Sequence, residues 1–276
     1  MTSGRGPGVA RRGRGPRAPA RSGGLTAIIV GMLARAWGIT RSLAMYHGIP
    51  GRQRRMRRFY RQFLGPGDVG FDVGAHVGSR VRAWRGLGAQ VIAIEPQPDF
   101  VRILRLFFGR DRQVVIVPQA IGAKPGRAIL ALSTATPTVS SLSTDWIESV
   151  VKDRSFAKVR WDRSISVDIV TLDQLIADYG LPAFVKIDVE GFEVEVLQGL
   201  SQPVRGLSFE YLPPAHEAAL TALGLVERLG AYVYNYAPVE TMKFASDEWL
   251  DAERLIHLLD RFRPLGRSGD VYARLK

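Results

Sequence analysis

"FDVGAHVGSR" (residues 71–80) decides how this chain is read. An apolar, strand-like run ends in Asp72, Gly74 and Gly78 follow four residues apart, and a helical pattern then begins. A strand that turns through glycines into a helix is the ligand-binding corner of open α/β sheets. The spacing here disfavours two common ligands of such corners. Dinucleotide turns need a second glycine two residues after the first, where this chain has His76; a phosphate loop needs Gly-Lys-Ser/Thr, whereas Gly78 is followed by Ser79 and Arg80. An acid beside a helix N-terminus also suits an ammonium group better than a pyrophosphate.

Working outward, the runs "VGFDV" (69–73), "VIAIE" (91–95), "VVIVP" (114–118), "FVKID" (184–188) and "LSFEY" (207–211) are short and rich in Val, Ile and Phe. Stretches long enough for helices separate them, which predicts an α/β fold with a doubly wound, mostly parallel sheet. Between 127 and 171 the alternation breaks. "RAILALS" (127–133) and "SISVDIVTL" (164–172) read as strands, "TATPTVSSLSTDW" (134–146) as a polar loop and "LDQLIADYG" (172–180) as a helix. Near the end, "AYVYNY" (231–236) and "DVYARL" (270–275) alternate as strands around a helix at about 247–262, predicting a closing antiparallel pair. Tyr232, Tyr234 and Tyr236 share one strand face and are expected to pack the sheet.

The formal charge of +12 on 276 residues suggests a polyanion partner until it is divided along the chain. Residues 1–67 hold 14 Arg, no Lys and no acid, leaving 24 basic against 26 acidic side chains in the rest. The basicity belongs to an appendage, and no nucleic-acid partner is expected. Residues 1–24, rich in Gly, Pro and Arg, lack the apolar side chains that would offset the entropy of ordering and are expected to be disordered. Residues 25–66 are expected to form an N-terminal helical region, and 67–276 the main domain. The run "LTAIIVGMLA" (25–34), with "ARA" (34–36) after it, has the outline of a secretory signal. The intracellular character of the downstream sequence favours a cytoplasmic protein instead. Met56, Phe59, Tyr60, Phe63 and Leu64 fall at helical spacing opposite arginines. That helix is expected to cover one end of the sheet, with weak peripheral contact to an anionic membrane as its alternative reading. With no Cys, disulfides, thiolate catalysis and thiolate zinc sites are excluded in this chain.

A ligand with an ammonium group, no phosphate and a need for close backbone approach is S-adenosyl-L-methionine. Glu95, ending the next strand 23 residues after Asp72, suits its ribose hydroxyls. "PGDVGFDVGAHVG", "AIEPQP", "QAIGA", "VDIVTLDQLI" and "VKIDVEGFEVEVLQGL" occur in an order and spacing that resembles the FkbM-type S-adenosylmethionine-dependent methyltransferases, over roughly 50–212. The resemblance implies the class I methyltransferase (Rossmann-like) fold and methylation of hydroxyl groups on sugars, glycolipids or secondary metabolites. It assigns Asp72, Gly74, Ala75, His76 and Gly78 to the cofactor loop, Glu95 to the ribose, and Ala120 to the same pocket. His76 stands where the family often has Asn, and Arg80 where a small polar residue is common.

The block "KIDVEGFEVE" (186–195) carries the expected chemistry. Period two puts Lys186 and Asp188 on one strand face, and Glu190 and Glu193 follow around a glycine turn. Methyl transfer to an alcohol needs a positioned acceptor oxygen and an outlet for its proton. Asp188 is therefore the first candidate for base or orienting group, followed by Glu190, Glu193, Lys186 and His76. His216 is a weaker candidate by titration range, and Glu210 is expected to face the same cleft. Asp188, Glu190 and Glu193 could hold Mg²⁺ through oxygen, although no metal is expected. The polar loop "STATPTVSSLS" (133–143) is the expected acceptor-recognition segment. A catalytically degenerate methyltransferase fold that binds a partner through the basic N-terminus is the non-enzyme alternative.

Overall fold

The computed structural model describes residues 38, 40, 41, 44, 48–133, 136, 140–143, 159–239 and 241–276. The expectations for residues 1–24, for the apolar run at 25–34 and for most of the polar loop lie outside these. In chain order the elements are α1 (Arg52–Tyr60), β1 (Val69–Val73), α2 (Ser79–Arg85), β2 (Gln90–Ile94), α3 (Pro98–Phe108), β3 (Val114–Val117), β4 (Ala120–Ile121), β5 (Gly126–Leu132) and β6 (Arg163–Val170). After these come α4 (Leu172–Tyr179), β7 (Phe184–Ile187), α5 (Glu193–Gln198), β8 (Gly206–Tyr211), α6 (His216–Leu229), β9 (Tyr232–Pro238), α7 (Ala252–Phe262) and β10 (Gly269–Leu275).

The main sheet has seven strands in the order β3-β2-β1-β7-β8-β10-β9, and β4-β6-β5 form a smaller one. The first five strands of the main sheet pair in parallel, as the apolar runs predict, while β10 runs antiparallel to both β8 and β9. The fold is thus the doubly wound, mostly parallel α/β arrangement read from the sequence, with its closing antiparallel pair. The order of that pair was not legible, for β10 enters between β8 and β9.

Period two divides the core. Phe71, Val73, Ile92, Ile94, Val185 and Ile187 pack with α4, α5, α6 and α7 on one face. Val91, Ala93 and Phe184 pack with α1, α2 and α3 on the other. Buried on both faces, these strands need continuous rather than alternating hydrophobicity. The three tyrosines of β9 are buried as expected, the Tyr232 hydroxyl donating to Val204 O at 2.7 Å and that of Tyr236 to Arg267 O at 2.9 Å.

Helix α1 buries Met56, Phe59 and Tyr60 in a cluster of rings with Trp84, Phe184 and Tyr272. Each such side chain contributes about 1.5–3 kcal/mol on burial, which outweighs the ~0.2–0.5 kcal/mol per like-charged pair among the helix's arginines. The apolar face of α1 is spent on the core, leaving only arginines outward. Helix α7 begins at Ala252 rather than near 247. Leu250 exchanges both backbone hydrogen bonds with Tyr234, and the Asp251 side chain caps the helix by accepting from Arg254 N–H. None of the described helices is long and apolar enough to cross a membrane.

Strand order reverses at β1, with β2 on one side and β7 on the other. Open sheets gather ligands beyond the carboxyl ends of strands at such a point.

Candidate active site

A cavity of 290 Å³ opens there. Of the residues singled out in the sequence, Gly74, Ala75, His76, Glu95 and Ala120 line it, as do Lys186, Asp188, Glu190 and Glu210. Asp72, Gly78 and Glu193 do not.

The two glycines of the turn serve the chain itself. Gly74 has φ 82°, and a Cβ there would lie 1.9 Å from the Asp188 carbonyl oxygen. Gly78 has φ 77°, and its Cβ would meet Phe108 at 2.4 Å and Leu104 at 2.9 Å. The first lets the ends of β1 and β7 converge, and the second lets α2 start against α3. Close approach was the expected reason for both, but at Gly78 the approaching group is a side chain of the fold.

Arg80 joins what the sequence kept apart. Its Nε donates to Asp72 Oδ1 at 2.6 Å, Nη1 to Asp188 Oδ2 at 2.7 Å, and Nη2 to the Gly74 carbonyl at 2.7 Å. Asp72 is fully buried and its Oδ2 has no hydrogen-bond partner; burial pushes its carboxyl up, against the pull of Arg80. Asp72 therefore lies behind Arg80, off the cavity wall, where an ammonium group of a ligand cannot reach it directly. The cause is Arg80 rather than register: Arg80 lines the cavity and holds Asp72 Oδ1, while Lys186, paired with Asp72 across β1 and β7, also lines it. Asp188 feels burial most, yet Lys186 and Arg80 more than offset it and hold its carboxyl below the usual range. Lys186 is buried, donates to Ile187 O at 3.0 Å and pairs with Asp270 at 2.9 Å and with Asp188 at 3.8 Å. It is a structural counter-ion between two acids.

Glu95 accepts from the His76 N–H at 2.9 Å and the Gln97 N–H at 2.8 Å. Burial pushes its carboxyl up to about 7, against these two N–H groups; Asp72 adds to the rise and Arg80 opposes it. A folded pKa above the unfolded one means that the folded state holds the proton longer, so stability falls as pH rises from the unfolded value towards 7. Glu95→Gln is expected to remove on the order of 3 kcal/mol of that fall. Urea unfolding of both proteins at pH 4.5 and 7.5 checks it, and equal differences between the two pH values would refute the assignment.

The other acids separate by role. Glu193 Oε1 accepts from the N–H groups of Val189 and Gly191 at 3.3 Å each, so this carboxylate braces the turn away from the cavity. Its place among the catalytic candidates is corrected accordingly, because the helix start directs it inward beneath the loop. Glu190 has φ 53°, and its carbonyl accepts from the Ser141 hydroxyl at 2.7 Å. Ser140 and Leu142 line the cavity, so the described part of the polar loop does lie against it. His216 is buried outside the cavity, its Nδ1 3.2 Å from the Tyr211 hydroxyl, which removes it as a candidate base. The His76 ring packs on Phe100 at 3.9 Å between centroids. Phe100, Gln97, Met56 and Tyr60 also line the cavity and were missed. Met56 and Tyr60 showed only as core-facing positions of a helix, Gln97 only inside the block "AIEPQP", and Phe100 carried no signal.

Known proteins resemble this chain in sequence and in fold. The description "Methyltransferase FkbM domain" fits residues 72–242. A hexuronic acid methyltransferase of Haloferax volcanii is 28% identical over 145 residues, 51% of this chain and 54% of the relative. The chain thus spans about half the length of the curated relative it matches. Among solved structures it is similar to precorrin-6y C5,15-methyltransferase of Geobacter metallireducens (13% identity, TM-score 0.44, 81% of this chain and 86% of the other). It is also similar to Aeropyrum pernix fibrillarin with bound S-adenosyl-L-methionine (8% identity, TM-score 0.40, 76% and 68%). With the match running from the acid of the glycine turn to beyond β9, the chain belongs to the methyltransferase FkbM domain family.

Proposed function

We propose that the protein is an S-adenosyl-L-methionine-dependent O-methyltransferase acting on a hydroxyl of a sugar, glycolipid or secondary metabolite, with a uronic-acid glycoside as the first acceptor to test. The observation that carries this reading is a single cavity bounded by Glu95 at the end of β2 and Asp188 at the end of β7, on either side of β1. Bound there, the cofactor supplies an electrophilic methyl on sulfonium.

The residues fit such a compound. Each Glu95 oxygen already takes one N–H and keeps a lone pair for a ribose hydroxyl. Arg80 has five N–H donors and commits three, so it suits the carboxylate of the cofactor's amino acid rather than its ammonium group. On the acceptor side, Asp188 stays ionised beside Lys186 and Arg80. It is a weak base and a good acceptor of a hydrogen bond, which orients the hydroxyl oxygen towards the methyl group. Glu190, pushed well above the carboxylate range by burial and then by Asp188 and Glu193, is the stronger base once ionised.

The name of the Haloferax volcanii relative supports starting with hexuronic acids. Transfer of labelled methyl from the cofactor to uronic-acid glycosides and to the matching neutral glycosides should give a product that survives mild alkali, as an ether does and a methyl ester does not. Glu95→Ala should weaken cofactor binding about tenfold in calorimetry, the loss expected of one charge-assisted hydrogen bond. Absence of cofactor binding, or an alkali-labile product, would end this reading. The Arg80–Asp188 ion pair favours a second one, a binding protein without turnover, and cofactor binding with no transfer to any hydroxyl would select it.

A further inference from the structure

We infer that Asp188, Glu190 and Glu210 form a binding site for one hard divalent cation of the Mg²⁺, Mn²⁺ or Ca²⁺ class at the floor of the cavity. Glu193, the third acid of the expected oxygen cluster, is replaced in this set by Glu210. Topology makes the exchange. Strands β7 and β8 pair in parallel with Ile187 opposite Phe209, so the next residue of each, Asp188 and Glu210, emerges at the same sheet edge. The left-handed turn at Glu190 (φ 53°) then brings its carboxylate back to meet them. One carboxylate oxygen from each of the three lies within 4.8 Å of the others. Ligand oxygens across a six-coordinate ion are separated by ~4.2 Å for Mg²⁺ and up to ~5 Å for Ca²⁺.

Spacing alone would describe any acidic cluster. The observation that points to a ligand is Glu210 Oε2, which is shut off from solvent and has no hydrogen-bond partner among the described residues. A buried carboxylate oxygen without a donor is costly, and such atoms are few in native proteins. The nearby cations do not relieve it. Arg80 bonds Asp72, Asp188 and Gly74, Lys186 pairs with Asp188 and Asp270 and bonds Ile187 O, and neither bonds Glu210. Among the described residues no ion pair reaches Glu190 or Glu210. Three acids with oxygens within 4.8 Å of one another repel when ionised. A divalent ion is the partner that turns this repulsion into coordination. All three side chains line the 290 Å³ cavity, so an ion entering from solvent meets them and keeps open positions for water or a ligand oxygen.

One consequence rests on the methyl-transfer reading above. An ion held there would bind the acceptor hydroxyl, or a neighbouring carboxylate of a uronic acid, and make the hydroxyl easier to deprotonate.

The test needs neither cofactor nor acceptor. Chelator-treated protein is titrated with MnCl₂, MgCl₂ and CaCl₂ by calorimetry, with the Mn²⁺ spectrum as a second readout, and Tm is followed with and without the ion. One site per chain and a rise in Tm with the ion are expected. Glu210→Gln and Glu190→Gln should each weaken binding at least tenfold, while Asp111→Asn, paired with Arg85 at the C-terminal end of α2 and off the cavity wall, should leave it unchanged. Both Gln variants remove a repelled carboxyl, so their ion-free Tm should equal or exceed that of the parent, and a failure to fold cannot mimic loss of the site. No saturable binding up to 10 mM of any of the three ions, or equal binding by parent and both Gln variants, would overturn the proposal. Methyl transfer measured in EDTA is a separate result: an active enzyme that fails the titration sinks the cation site alone, and an inactive protein that passes it sinks the transferase reading alone.

Discussion

Arg80→Met is expected to destabilise the protein by about 3–5 kcal/mol at pH 7, the cost of leaving a buried charge without its partner. The guanidinium is 13% exposed and Asp72 not at all, so water cannot take over. Removing it strips Asp72 of the only side-chain donor to Oδ1 among the described residues, where Oδ2 has none already. Asp188 is less dependent, since Lys186 remains nearby and the carboxylate is 27% exposed. The loss should therefore have the signature of Asp72. Its folded pKa, already raised, moves further up, so the penalty grows as pH rises from the unfolded value towards that pKa and disappears as pH falls back to the unfolded value. Urea unfolding at pH 7 and pH 4.5 should show a large and a small difference respectively. Adding Asp72→Asn to Arg80→Met should recover more than half of the loss, because a neutral amide replaces the stranded charge. A cost below 1 kcal/mol, or no recovery in the double variant, would show that Arg80 does not hold Asp72 in place.

Gly74→Ala should disable the site and the fold together. The added Cβ falls 1.9 Å from the Asp188 carbonyl oxygen and 3.0 Å from its carbon, both backbone atoms that cannot swing aside. Positive φ at a non-glycine adds roughly 1–3 kcal/mol of its own. Relief requires the ends of β1 and β7 to part, which displaces Asp188 and the acids after it. A shift of about 1 Å at reacting groups is enough for a hundredfold loss of rate. We expect a stability loss above ~3 kcal/mol and at least that loss of methyl transfer in whatever protein remains folded. Gly67→Ala is the control, for Gly67 has φ 81° but nothing within 4 Å of a Cβ, so only the conformational cost applies. If the two variants behave alike, the convergence of β1 and β7 at Gly74 is not what the glycine is for.

Both predictions concern contacts that no local reading of the chain supplies. Arg80 looked like an unusual residue at a helix start, where a small polar one is common. Its three acceptors come from β1, from the turn and from a residue 108 positions away, and only the pairing of β1 with β7 brings them within reach. Arg80 also stands in for Asp72 at the cavity, for it lines the cavity while Asp72, bonded to it, does not. Glu210 faces the cleft as its strand end led one to expect, whereas the Glu193 carboxylate turns to the N–H groups of Val189 and Gly191 and leaves the cavity to Glu190.

The amino-acid sequence by itself determined the alternation of strands and helices, the parallel character of the sheet, the glycine turn with Glu95 beside it, and the cavity-lining acids Asp188, Glu190 and Glu210. These properties arise from side-chain period, turn chemistry and strand ends, each set by a few consecutive residues. Only the tertiary structure decided that β10 enters between β8 and β9, that α1 forms a wall of the cavity, and which carboxylates meet there. Those outcomes depend on strand register and on which buried charges can find partners. Both are settled by packing between distant segments, where a single hydrogen bond or a few cubic ångströms selects among arrangements that the local patterns allow equally.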